Sequence, residues 1–196
     1  GAEQAGIRAL RTAMIVLLGV SPEAGAADKL RRLYDGATNM TERLAAVRAY
    51  TVQTGGKANE ALADFEETWK DNPLVMDKWF ALQATTGDAE TVKTLAAHPA
   101  FDLRNPNRVR SVVAAFTMQN LAAFHAPDGS GYKAVEEIIL KADKANPALG
   151  ARLLTAFEQW RILEPQAKAA AEATLKRLQA AGLSSNAADI VARALG

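Results

Sequence analysis

Residues 105–132 read NPNRVRSVVAAFTMQNLAAFHAPDGSGY. Asn105 followed by Pro106 marks a helix start, because the asparagine oxygen accepts from free N–H groups of the first turn and proline lacks only an N–H that would be orphaned there. Val109, Val112, Val113 and Phe116 then recur at helical spacing. Further on, Asp128-Gly129-Ser130-Gly131 reads as a tight turn, with Asp128 and Ser130 capping a helix over Tyr132 to Lys141. The stretch is helix, polar break, helix, with no alternation that a strand would need.

The same grammar runs through the rest of the 196 residues. Ser21-Pro22, Asn72-Pro73 and Asn146-Pro147 predict three more capped starts, and Asn39-Met40-Thr41, formally a glycosylation acceptor, reads equally well as a cap before a helix over Glu42 to Tyr50. Apolar stripes recur at Ile7, Leu10, Met14 and Leu17; at Leu62, Phe65 and Trp69; at Val135, Ile138 and Ile139; at Leu153, Phe157 and Trp160; and at Ala187, Ile190 and Val191. Gly19, Gly36, Gly55-Gly56, Gly87 and Gly182 punctuate the helix ends. Roughly a fifth of the residues are alanine, the strongest helix former. Short turns between about ten or eleven helices favour antiparallel neighbours stacked in sequence order. The expected fold is all-α, an irregular right-handed superhelix of stacked antiparallel helix pairs of the HEAT type, forming a single domain over residues 1–196.

Composition excludes whole classes of function. The chain has no cysteine, which removes disulfides, thiol nucleophiles and thiolate-bound zinc. A formal net charge of +1, from 23 basic and 22 acidic side chains without a basic block, argues against nucleic acid as a partner. The apolar run from Ala13 to Val20 is too short to span a bilayer and lacks a basic leader, so no membrane partner and no targeting segment are expected, and the cytoplasm is the default location. The first residue is glycine, which suggests a piece of something longer.

No catalytic or metal constellation assembles from the letters. His98 and His125 lie far apart, each flanked by small or apolar residues, and H-E-x-x-H is absent. Ser111, Ser130, Ser184 and Ser185 lack a nucleophile-elbow context. D-G-S-G-Y has neither the lysine of a phosphate loop nor a preceding strand. Glu66-Glu67 and Glu136-Glu137 read as solvated helix faces, and Trp69, Trp79 and Trp160 as core anchors. Two features remain. Arg108 and Arg110 sit near a helix start, where positive charge is mildly unfavourable, so a partner is expected for them. Arg152 lies one and a half turns into the helix begun by Asn146-Pro147 and reads, on residue type alone, as a solvated surface arginine.

The 105–132 stretch nevertheless resembles the C-terminal domain of the bacterial aminopeptidase N family, zinc-dependent alanyl aminopeptidases of the H-E-x-x-H type. Ala9-Leu10-Arg11, Ala37-Thr38-Asn39-Met40-Thr41, Leu74-Val75-Met76-Asp77-Lys78-Trp79-Phe80, Leu82-Gln83-Ala84-Thr85 and the closing run to Ala194-Leu195 resemble blocks of that domain in the same order. The resemblance implies one noncatalytic domain of a larger enzyme that removes N-terminal residues from peptides. Zinc and the G-x-M-E-N motif would reside in the catalytic domain of the same polypeptide, this chain's partner, and no cofactor in the chain itself. It further implies a helical superhelix closing over the active-site cavity and restricting access to peptide substrates. Arg152 corresponds to an arginine lining that cavity on the primed side of the scissile bond. Ala148 stands where relatives often carry a larger polar residue, and Leu121 where a proline is expected after Asn120. Arg108, Arg110, Asn120, His125, Asp128 and Tyr132 are read as a polar corner, structural or facing the catalytic domain, with a structural role favoured because polar residues at caps and turns commonly serve the backbone. A free-standing α-solenoid scaffold or peptide-binding module is the competing reading.

Overall fold

A computed structural model describes residues 2–56 and 59–196. Among the described residues there are twelve α-helices, two single turns of 3-10 helix and no strand. They fall into two compact units, divided after Thr86.

The first unit holds α1 (Ala2–Gly19), α2 (Ala26–Asp35), α3 (Met40–Gln53), α4 (Glu60–Trp69) and α5 (Pro73–Thr86). Helix α3 is central, packing on each of the other four. Close approach of α1 rests on Gly19, where a methyl group would lie 2.9 Å from the Ala49 side chain. The core gathers Leu30, Tyr34, Val47, Phe65, Met76 and Phe80. Its polar atoms are tied locally: the Tyr34 hydroxyl donates to Asp64 Oδ2 at 2.7 Å, and the Trp79 indole N–H donates to the Leu62 carbonyl at 2.9 Å.

The second unit holds α6 (Ala89–Ala96), α7 (Pro106–Gln119), α8 (Leu121–Phe124), α9 (Ser130–Ala145), α10 (Pro147–Leu154), the 3-10 turns Thr155–Phe157 and Trp160–Ile162, α11 (Pro165–Ala180) and α12 (Ser185–Leu195). Helix α9 is its axis and packs on α6, α7, α8, α10 and α11, while α10 and α11 carry α12. Phe124 sits at the centre of an edge-on aromatic cluster with Phe116, Tyr132 and Phe157, ring centroids 5.1–6.0 Å away, a geometry in which ring edges meet neighbouring π faces.

Three of the four cap-and-proline starts form as expected. Asn72 accepts from the Val75 N–H, Asn105 from those of Asn107 and Arg108, and Asn146 from that of Leu149. Asn39 likewise caps α3 through the Glu42 N–H. Ser21-Pro22 does not begin a helix. The Ser21 hydroxyl accepts from the nearer Glu23 N–H, making a local turn, and Gly25 then adopts φ 82°, which no continuing helix tolerates, so α2 starts at Ala26. Helix α9 begins two residues before Tyr132, with Gly129 at its cap in the left-handed region and Ser130 already helical. Glu136 is not a solvated carboxylate: Arg177 of α11 grips both of its oxygens at 2.7–3.2 Å. The stripe of Ile7, Leu10, Met14 and Leu17 forms on a helix, as its spacing requires, yet every member is exposed. No helix among the described residues is long and apolar enough to cross a membrane.

Candidate functional site

Arg152 owes its position to a short helix with one face fully committed. Asn146 and Pro147 start α10 directly after α9, and Leu149, Gly150, Ala151, Leu153 and Leu154 turn inward. Gly150 is required for this, since a methyl group there would lie 2.6 Å from Asp143 Oδ1 on α9. Arg152 is left on the exposed side. Its backbone carbonyl accepts from the Thr155 hydroxyl, whereas its guanidinium has no hydrogen-bond or ion-pair partner among the described residues. A planar cation with all five donors free is suited to a carboxylate or a peptide carbonyl.

The other expected residues sit at the two ends of α7 and at the start of α9. Arg108 is buried, and its guanidinium reaches back to the Ala100 carbonyl, pinning the loop before α7 to the helix it precedes. Arg110 is half-buried and donates to the Asn107 side chain within the same first turn. Both arginines at this unfavourable helix end therefore have partners. Asn120, at the junction of α7 and α8, donates from Nδ2 to the Gly87 carbonyl at 2.6 Å.

His125 and Tyr132 are the members brought into direct contact, with His125 Nδ1 2.8 Å from the Tyr132 hydroxyl across the α8–α9 turn. Burial pushes the imidazole below its ordinary range and raises the Tyr132 phenol to about 12, so both are neutral near pH 7. Asp128 is exposed and accepts from the Ser130 N–H at 2.9 Å; its bonds to Ser130 hold its carboxyl below the usual carboxylate range. The two glycines of D-G-S-G-Y divide the work of the turn. Gly129 supplies the left-handed conformation at φ 72°, and Gly131 supplies room, since a methyl group there would lie 2.7 Å from Phe124 Cα and nearer still to the Ala123 and Phe124 carbonyls.

Among the described residues no three His, Asp or Glu side chains gather around a common point. His98 uses Nδ1 to accept from the Ala100 N–H, and His125 uses Nδ1 on Tyr132.

Sequence reasoning missed the most heavily used buried carboxylate. Asp143, 3% exposed, accepts from both the N–H and the hydroxyl of Ser184, at 2.7 and 2.6 Å, and so anchors the start of α12 from α9. The partners are 41 positions apart, which no local pattern announces. The available signal was Gly150, a glycine inside a helix, which commonly marks a close approach.

Known proteins resemble the chain over its whole length. The family described as "Domain of unknown function (DUF3458_C) ARM repeats" matches residues 1–196. Aminopeptidase N of Caulobacter vibrioides is 38% identical over all of this chain, which spans 23% of that protein. Aminopeptidase N of Haemophilus influenzae is 39% identical over 76% of the chain and that of Escherichia coli 36% over 88%, matching 18% and 20% of those proteins. Among solved structures, the crystal structure of Legionella pneumophila aminopeptidase A in complex with aspartic acid superposes with a TM-score of 0.88 at 32% identity, covering 98% of this chain and 23% of that one. The chain thus spans about a fifth of the length of the relatives it matches.

Proposed function

The chain belongs to the DUF3458_C family of ARM-repeat domains, and from that premise we propose that it is the noncatalytic C-terminal helical domain of a cytoplasmic zinc aminopeptidase that trims N-terminal residues from peptides. The observation that carries the reading is the match of the entire chain to about a fifth of each aminopeptidase relative. On this reading the two units act together as one domain of the parent protein. That domain encloses the active-site cavity, restricts access to it and contributes Arg152 to the substrate channel. The zinc would be held outside this segment, because the donors described above do not fit it. Relatives named aminopeptidase N and aminopeptidase A share the domain, which supports placing the choice of N-terminal residue elsewhere in the parent.

Arg152 would act by binding. A guanidinium without an internal partner gives two parallel donors to the C-terminal carboxylate of a short peptide, or one to a backbone carbonyl beyond the scissile bond. Arg108, Arg110, Asn120, His125, Asp128 and Tyr132 are assigned to the framework, supported by bonds that run to backbone atoms or to neighbours within the same unit.

The test compares two substrates of the parent enzyme. Losing a charge-assisted hydrogen bond costs about 1.5–3 kcal/mol, so Arg152→Ala should lower kcat/KM for a tetrapeptide roughly 10- to 100-fold. An alanine anilide, which has no residue beyond the scissile bond, should be affected less than about twofold. Equal effects on both would remove Arg152 from the channel. Turnover of the anilide by the isolated chain, with stoichiometric zinc, would refute the noncatalytic assignment.

A further inference from the structure

Helix α1 wears its amphipathicity inside out. At about 100° per residue, Ile15 and Gly19, its buried residues, look to one side of the helix, and Arg8 and Arg11 lie on or near that side. Arg11 pairs with the buried carboxylate of Glu42 on α3 at 3.3 Å. Ile7, Leu10, Met14 and Leu17 lie on the far side and are 52, 63, 61 and 67% exposed. Val16, around the helix from the ridge, and Val20, just past the helix end, are also exposed, at 53 and 69%. The four ridge residues leave on the order of 400 Å² of apolar side chain in water, within the range of the largest and often functional patch on a monomeric domain. A helix completing only its own unit would direct this ridge toward α3 and its charges outward.

Resting on the reading of the chain as part of a larger aminopeptidase, we propose that the α1 ridge is the seat on which the remainder of the same polypeptide docks, through an apolar surface of its own. Two observations select that occupant. Roughly four fifths of each relative lies outside the matched segment, so a body of the required size accompanies this domain. In addition, residues 3–11 are exposed around the entire helix, the small flank of Ala5, Gly6 and Ala9 included. A second copy pairing about a two-fold axis would cover one face only, whereas a larger body can cover several. Leu18 and Thr12, half-buried at the margins, are where the internal and external contacts meet.

The absence of cysteine from the chain makes the test direct. In the full-length parent, Leu10→Cys and Leu17→Cys are introduced singly and maleimide labelling of the peptide carrying each is followed by mass spectrometry, natively and in urea. Labelling of the native parent at least about 100-fold slower than of the unfolded one, unchanged on dilution, is the expected result. Native rates within about threefold of the unfolded rates at both positions would overturn the proposal. So would protection that disappears on dilution, which would assign the ridge to a second copy. The tetrapeptide and anilide comparison for Arg152→Ala reads the gating function independently. Free labelling with that split intact sinks the docking seat alone, and protection without the split sinks the channel role alone.

Discussion

Replacing Asp143 with alanine should detach the start of α12 from α9. In the native unit each carboxylate oxygen takes one donor from Ser184, the N–H at 2.7 Å and the hydroxyl at 2.6 Å, with the carboxylate 3% exposed. Hydrogen bonds to charged groups contribute about 1.5–3 kcal/mol each. Ser184 is half-buried, so water can partly replace the lost acceptors, which puts both bonds near the lower figure. The sum is a destabilisation of about 3 kcal/mol, equivalent to roughly 6–12 °C in Tm for a chain of this size. Urea unfolding gives the free energy, and the fluorescence of Trp160 reports on α12 directly, because its indole N–H donates to the Ala194 carbonyl near the other end of that helix. Ser184→Ala keeps the N–H bond and should cost about 1.5 kcal/mol, and Asp143→Asn, with one oxygen still able to accept, should fall between that and the alanine variant. The reasoning is refuted if Asp143→Ala stays within about 0.5 kcal/mol of the unsubstituted chain, or if Ser184→Ala costs as much as Asp143→Ala.

The two glycines of the α8–α9 turn should respond unequally. Gly129→Ala places alanine at φ 72° and should cost about 1–2 kcal/mol, whereas Gly131→Ala drives a methyl group into two carbonyls and should cost more than about 3 kcal/mol, with loss of the near-UV signal of the Phe124 and Tyr132 cluster. Stability should also fall on acidification. Burial lowers the folded-state pKa of His125, so from about pH 6.5 down to that value the unfolded chain binds the extra proton and is favoured, while above pH 7 the group contributes no slope. Urea midpoints measured from pH 7.5 to 5.5 should drop, and the drop should shrink in His125→Gln.

Much of the fold could be read because its signals are local. A cap side chain, a proline and a 3.6-residue stripe act within one or two turns, and Asn72, Asn105 and Asn146 perform as their neighbours dictate. Ser21-Pro22 carries the same letters, but the deciding residue is Gly25, whose left-handed conformation restarts the chain. The polar residues of 105–132 were legible as a group that serves turns, while their partners were not. Arg108 meets Ala100 and Asn120 meets Gly87 only once the helices have packed, and Gly131 discloses its role only when α8 lies against it. Glu136 looked solvated for the same reason, since Arg177 comes from another helix.

Periodicity in a sequence shows that a helix has an apolar side, but it does not show toward what. For α4 or α9 the side and the unit's own core coincide, and burial follows. For α1 they do not, and the residues that look most like core are exposed. A free-standing solenoid would have little reason to keep such a ridge in water, because each exposed aliphatic side chain forgoes about 1.5–3 kcal/mol of burial and invites aggregation. Arg152 carries less weight, because an exposed guanidinium without an internal partner is ordinary on a protein surface. A ridge without a cover is ordinary in a domain that packs against the rest of a larger polypeptide. The ridge therefore favours the proposed part of a larger protein over the free-standing scaffold, while the proposed role of Arg152 rests on the comparison of peptide and anilide substrates.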